Sequence, residues 1–191
     1  MIKKIESADK FADMTFEELS RINCFSENLT DRARAADLLE RRYCCEIRCA
    51  DMDKSTFFAH HARGCTIIAA KICKNVVIYQ NVTIGSNMRY NKIQSKWENV
   101  GIPILAENVI VADGAKILGS ITIGENTVVG AGAIVTKSIP ANSIAYGVNK
   151  YKPKNSDYDF IFSPNMISDI EITRADAEHV AEFNKSRESR S

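Results

Sequence analysis

The sequence predicts a mainly β chain wound as a parallel β-helix of hexapeptide repeats, with a short N-terminal helical segment and a C-terminal tail carrying a helix. Three observations predict it. Leu105, Val111, Ile117, Ile123, Val129 and Val135 follow one another at steps of six without a gap. Four positions after each stands a small or β-branched residue: Val109, Ala115, Ile121, Thr127, Ala133 and Ile139. Earlier in the chain Ile72, Ile78 and Ile84 keep the same step, with Val76 and Val82 at the second position. A helix repeats at 3.6 residues and a half-buried strand at 2, so neither produces a period of six. A coil of three hexapeptides, one per flat face with its aliphatic residue inward, does.

Residues 1–43 read as the helical segment. Thr15 to Leu19 makes a short turn-rich stretch. Asn28 or Thr30 can then cap a helix from Asp31 to about Tyr43, with Ala33, Ala36, Leu38 and Leu39 as its apolar stripe. Glu27 and Asp31 near its start and Arg41 and Arg42 near its end suit the helix dipole. The coil domain follows over 44–148. Within it, the step from Ile84 to Leu105 is three and a half hexapeptides, not a whole number, so the frame slips. The polar stretch 85–103, which carries the only tryptophan, reads as a loop without structure of its own, thrown out from one corner. The tail, 149–191, opens with lysines, continues through Tyr158, Phe160 and Phe162, and ends in a helix that starts after Thr173 and runs through Ala181 or Phe183. Its last residues, KSRESRS, read as disordered.

Composition narrows the function classes. The 25 basic and 24 acidic side chains balance, which argues against a nucleic-acid partner. No apolar run approaches the roughly 18 residues of a membrane span. The start, MIKKIESADKF, lacks the apolar core and cleavage site of a secretory signal. The six cysteines therefore read as free thiols of a cytoplasmic protein. Cys44, Cys45 and Cys49 cluster, yet no second CxxC or paired histidine completes a zinc set, so no metal is expected.

Only three histidines exist. His179 falls in the tail helix. His60 and His61 are adjacent at the start of the coil region, where neighbours point to opposite sides and one alone can face a cleft. Acyl transfer to a hydroxyl needs a base that works near neutral pH, which suits histidine, and a carboxylate that orients it. Glu46 lies fifteen residues before His61, and in a coil of about three hexapeptides that separation can bring two corner positions together. Asp51 and Asp53 lie between. No Ser or Cys nucleophile with a matching base can be picked out, so direct transfer is simpler than a covalent acyl-enzyme.

From Leu38 to Lys154 the chain resembles the serine acetyltransferase group of hexapeptide-repeat, left-handed β-helix acyltransferases. CEIRCADMDKSTFFAHHARG is similar to that family's first coil, in which an acid precedes the catalytic histidine by fifteen residues and a glycine follows by three; Glu46, His61 and Gly64 fit all three positions. NVVIYQNVTIGS and ADGAKILGSITIGENTVVGAGAIVTKSIP are similar to its later coils, and GVNK resembles its Gly-Val-Pro-Ala-Lys exit with Asn149 in place of proline. The resemblance implies acetyl-CoA as co-substrate, a left-handed coil, a homotrimer with sites between neighbouring coils, and a catalytic dyad of His61 and Glu46. It implies CoA along the coils beside Gly85, Ala115 and Ala133, with Thr136, Lys137, Lys150 and Lys152 near its phosphate end. Serine-specific members carry Asp-Arg-His-Pro at the loop end, where this chain reads Val100-Gly101-Ile102-Pro103, and Asp where His60 stands. The groups that would hold an amino acid's carboxylate and ammonium are missing. The resemblance then favours relatives that acetylate sugar hydroxyls in surface-polysaccharide pathways, with Tyr90 and Trp97 stacking on the sugar and His60 beside it. Serine O-acetylation for cysteine synthesis is the alternative, and a non-catalytic β-helix scaffold the second. A γ-type carbonic anhydrase is disfavoured, because adjacent histidines on one edge do not supply the geometry of a three-histidine zinc site.

Overall fold

The computed structural model describes residues 10–155 together with Ala177, Glu178, Val180, Ala181 and Lys185. The chain divides into two compact units, Met1–Asp159 and Phe160–Ser191. The five described residues of the second unit are helical; the rest of the expected tail helix, His179, the aromatic stretch and the final residues lie outside the described residues.

Two helices precede the coil. In α1, Phe16–Phe25, Thr15 Oγ1 accepts from the Glu18 amide at 3.3 Å while the Glu18 carboxylate accepts from the Thr15 amide at 2.8 Å. That reciprocal cap satisfies two otherwise unpaired donors, so the expected short turn is a full ten-residue helix. In α2, Leu29–Tyr43, the Asn28 side chain accepts from the amides of Thr30 and Asp31. Its inward face is Ala35, Leu38 and Leu39 rather than the expected Ala33 and Ala36, which are exposed. The i, i+3, i+4 set is the one that meets both α1 and the strand Glu46–Met52.

The coil begins at Glu46 and is a parallel β-solenoid of about five turns. Leu105, Val111, Ile117, Ile123, Val129 and Val135 are each at most 1% exposed, as are Val109, Ala115, Thr127 and Ala133. The six-residue beat is the inside of the coil. Each aliphatic side chain buried this way contributes about 1.5–3 kcal/mol. Leu105 pairs with Ile123, Val111 with Val129 and Ile117 with Val135, in each case one rung of three hexapeptides. Corners need left-handed backbone, which asparagine tolerates. Asn75, Asn108, Asn126 and Asn142 have φ of 56°, 57°, 54° and 54°, and their side-chain amides bond up the corner at 3.1, 3.0 and 3.2 Å.

The frame slip has a definite form. Ile117 reaches its partner Val135 in three hexapeptides, but Ile84 reaches its partner Ile117 only after five and a half, so the insertion lengthens one rung. It is not an unstructured loop. Met88–Asn91 and Lys96–Asn99 pair antiparallel as a β-hairpin with Tyr90 opposite Trp97. Asn91 closes its turn by accepting from the amides of Ile93 and Gln94, and the Glu98 carboxylate accepts from Arg89 at 3.0 Å and Asn91 at 2.7 Å. Those two bonds, the one from Asn91 foremost, hold the Glu98 carboxyl below its ordinary range. At the far end Lys150–Pro153 folds back antiparallel on Ser143–Tyr146.

Candidate active site

His61 sits in a tight left-handed turn, Ala59–Ala62, where the chain passes from the strand Phe57–Phe58 towards Thr66–Ile72. His60, His61 and Ala62 have φ of 52°, 57° and 49°. Three successive non-glycine residues in the left-handed region store about 1–3 kcal/mol each, a strain that the surroundings must hold in place. Gly64 follows at φ 70°; a Cβ there would come within 2.5 Å of the Asn81 side-chain oxygen, so this turn favours glycine twice over. Its amide donates to Tyr43 O at 3.4 Å, tying the turn to the end of α2.

The turn splits the two histidines. His61 packs between Phe16 of α1, with ring centroids 5.4 Å apart, and Tyr43 of α2, at 5.6 Å. His60 lies towards Tyr79, at 6.1 Å. The carboxylate that approaches His61 is that of Glu17, with Oε1 3.8 Å from Nε2. Glu46, the expected partner, instead forms an ion pair with Arg48 at 2.8 Å. Residues 46 and 48 lie on one face of the same strand, which makes that pairing local. Glu46 stays near the turn through its backbone, its amide donating to Cys65 O at 2.9 Å.

The residues assigned to CoA divide three ways. Ala115 and Ala133 are fully buried, with side chains in the coil's core. Their amides bond to Ala112 O and Gly130 O, and their carbonyls accept from Thr83 and Lys116. Their side chains pack the interior, so any approach of CoA to these two residues would be to their backbone. Gly85 differs: at ordinary φ, a Cβ there would meet nothing within 4 Å, leaving open room beside the rung. Thr136 is held by Asn149, whose side-chain oxygen accepts from the Thr136 amide at 2.7 Å and whose side-chain nitrogen donates to Thr136 Oγ1 at 2.8 Å. Lys137 and Lys150 are exposed. Tyr90 and Trp97 meet edge to face at 5.5 Å on the hairpin, 49% and 66% exposed.

Sequence reasoning missed Phe16, Glu17 and Tyr43. The Thr15-x-x-Glu18 pattern marks where α1 starts, yet nothing in the spacing says that this helix meets a turn so far along the chain. Among the described residues no group of three or more His, Cys, Asp or Glu side chains could hold a metal ion. All six cysteines are free thiols. Burial pushes the Cys24 and Cys45 thiols up to about 12. No helix among the described residues is long and apolar enough to cross a membrane.

Residues 103–137 match the model for the bacterial transferase hexapeptide, six repeats. The chain carries that repeat. It is 33% identical over 122 residues to a serine acetyltransferase of Bacillus pumilus, covering 59% of this chain and 52% of the relative. The chain thus spans about half the length of the curated relatives it matches. Among solved structures, a serine acetyltransferase of Neisseria gonorrhoeae superposes with a TM-score of 0.53 at 21% identity, over 73% of this chain and 49% of that one. A serine acetyltransferase solved in complex with CoA superposes with a TM-score of 0.51 at 22% identity, over 68% and 52%. At such identities the superpositions establish the fold, a left-handed β-helix.

Proposed function

We propose that this protein is an acetyl-CoA-dependent O-acetyltransferase with His61 as its general base. The observation that carries the reading is the setting of His61: a half-exposed imidazole in a strained left-handed turn at the mouth of a hexapeptide coil, with a carboxylate beside it. His61 takes the proton of the acceptor hydroxyl as that oxygen attacks the thioester carbonyl carbon. A C–O bond forms and the C–S bond breaks. The imidazolium then returns its proton to the departing sulfur, so the products are the acetyl ester and the free CoA thiol, with His61 neutral again. The open room at Gly85 suits the narrow pantetheine arm, and Lys137 and Lys150 offer exposed cations to phosphates.

The acceptor favoured by the relatives' activity is serine, ahead of the sugar that the loop residues alone suggest. A sugar remains the second reading, because the exposed Tyr90–Trp97 pair offers a stacking edge and Val100-Gly101-Ile102-Pro103 supplies no cation for an amino acid's carboxylate. The working division keeps a helical segment at 1–43, the coil at 44–148 and a tail at 149–191, with the protein as a cytoplasmic homotrimer whose sites lie between neighbouring coils. Free-thiol release from acetyl-CoA, measured with L-serine and a panel of sugars and nucleotide sugars, tests the reading. Release with serine supports the first acceptor and release with a sugar the second. Bound CoA without release on any acceptor, hydroxy amino acids and sugars alike, counts against transfer.

A further inference from the structure

We propose that Glu17 is the positioning carboxylate of His61, so that α1 is part of the catalytic centre; this rests on the acetyltransferase reading above. Three linked features aim Glu17 at the histidine. The reciprocal Thr15–Glu18 cap fixes where α1 begins. Phe16, 3% exposed, anchors that first turn by meeting Tyr43 at 5.2 Å and Phe58 at 6.1 Å, both edge to face. The same Phe16 and Tyr43 rings flank the imidazole, so the cage that sets the helix start also sets the ring. Glu17, next along the helix, then brings Oε1 to 3.8 Å from Nε2. Glu46 has been drawn to Arg48 and does not supply this contact.

In free solution the Glu17–His61 pair is open to water, with side chains 70% and 50% exposed, and such a pair contributes little by itself. An acceptor seated against His61 excludes that water, and the carboxylate then stabilises the imidazolium as the acceptor proton arrives. The contact is therefore worth a few-fold in the resting protein and strengthens when it is needed. Glu17 also lies in the first turn of α1, where any carboxylate favours the helix. A test must separate that role from positioning.

Glu17→Gln removes the charge; Glu17→Asp keeps the charge on the helix but withdraws it by one methylene. In the full chain, both substitutions are expected to lower kcat/KM about ten- to a hundredfold with the KM for acetyl-CoA unchanged. A second readout needs no acceptor: carbethoxylation by diethyl pyrocarbonate at about pH 8, resolved by residue with mass spectrometry. Both variants should slow modification of His61 at least about threefold and leave His60 alone, an internal control on the other side of the turn. Wild-type His61 reactivity in Glu17→Gln overturns the proposal. So does a Glu17→Asp protein that behaves as wild type, because the carboxylate would then serve only the helix. Slowed modification by Glu46→Gln in place of Glu17→Gln overturns it in favour of Glu46. Slowed modification in the Glu17 variants, in a wild-type protein that acetylates nothing, would uphold the Glu17 contact while sinking the acetyltransferase reading.

Discussion

Gly124→Ala should be among the most damaging single-methyl changes in the coil, and its cost can be worked from the rungs. Around Gly124 the regular rung of three hexapeptides contracts: Ile123 bridges to Ile139 and Val129 pairs with Ala145, each two positions short of a full rung. The contraction lays Pro140 and Ala141 directly on Gly124. A Cβ at Gly124 would overlap Ala141 N outright and stand 2.7 Å from Ala141 Cα and Pro140 C. These are backbone atoms, so no side chain can swing away. Relief requires the two rungs to part, which weakens the bonds on either side, Gly124 N to Ile139 O at 2.9 Å and Asn142 N to Glu125 O at 2.8 Å. Overpacking costs about 1–3 kcal/mol and a weakened backbone bond about 0.5–1.5 kcal/mol. The expected loss is about 3 kcal/mol, or roughly 6–12 °C in Tm for a chain of this size. Two controls bracket it. Gly132→Ala meets open space but sits at φ 65°, so left-handed strain alone should cost about 1–2 kcal/mol. Gly85→Ala has neither problem and should stay within about 0.5 kcal/mol of wild type. Urea titration and thermal melts of the three proteins at one concentration give the order. If Gly124→Ala melts with wild type, or no lower than Gly132→Ala, the close approach inferred from the shortened rung is wrong.

His61→Ala should lower turnover by about two to four orders of magnitude while CoA binding, read by calorimetry, stays near wild type. Gly85→Ala, stable by the argument above, should raise the KM for acetyl-CoA, because its methyl fills the room left for the pantetheine arm; an unchanged KM would move the CoA path elsewhere. Trp97→Ala should raise the acceptor KM with little change in Tm, since the indole is 66% exposed and rests edge to face on Tyr90 across the hairpin. Stability should also fall in alkali. Burial lifts the Cys24 and Cys45 thiols from 9.0 to about 12 in the folded chain, so above about pH 9 the unfolded chain loses protons that the folded one keeps. Their contribution is whole below that pH and drains away as pH rises towards 12. Cys24→Ala should flatten that alkaline decline in urea midpoints, and an unflattened decline would place its cause elsewhere.

What was legible in the sequence and what was not follow from the range of the forces involved. The beat of Leu105, Val111, Ile117 and their successors is repeated and local, because every rung poses the same packing problem and receives the same answer; all are buried. The left-handed corners escaped that reading, because Asn75, Asn108, Asn126 and Asn142 stand 33, 18 and 16 residues apart and no fixed period marks them. The hairpin was readable in principle. Met88 and Tyr90 alternate with Arg89 and Asn91, but four residues per strand give too short a period-two signal to stand against a polar composition. The neighbourhood of His61 is another matter. Spacing relative to the coil points to Glu46, because fifteen residues is close to one rung. Glu17 belongs to no repeat. It reaches His61 because a cap at Thr15 starts a helix whose first buried ring, Phe16, must find Tyr43 and Phe58, a tertiary contact with no echo in the chain's period. The repeat sets the core in every turn, whereas Glu17, 3.8 Å from the His61 imidazole, lies outside it. The carboxylate at the mouth of this coil could therefore be found only by asking what the first turn of α1 packs against.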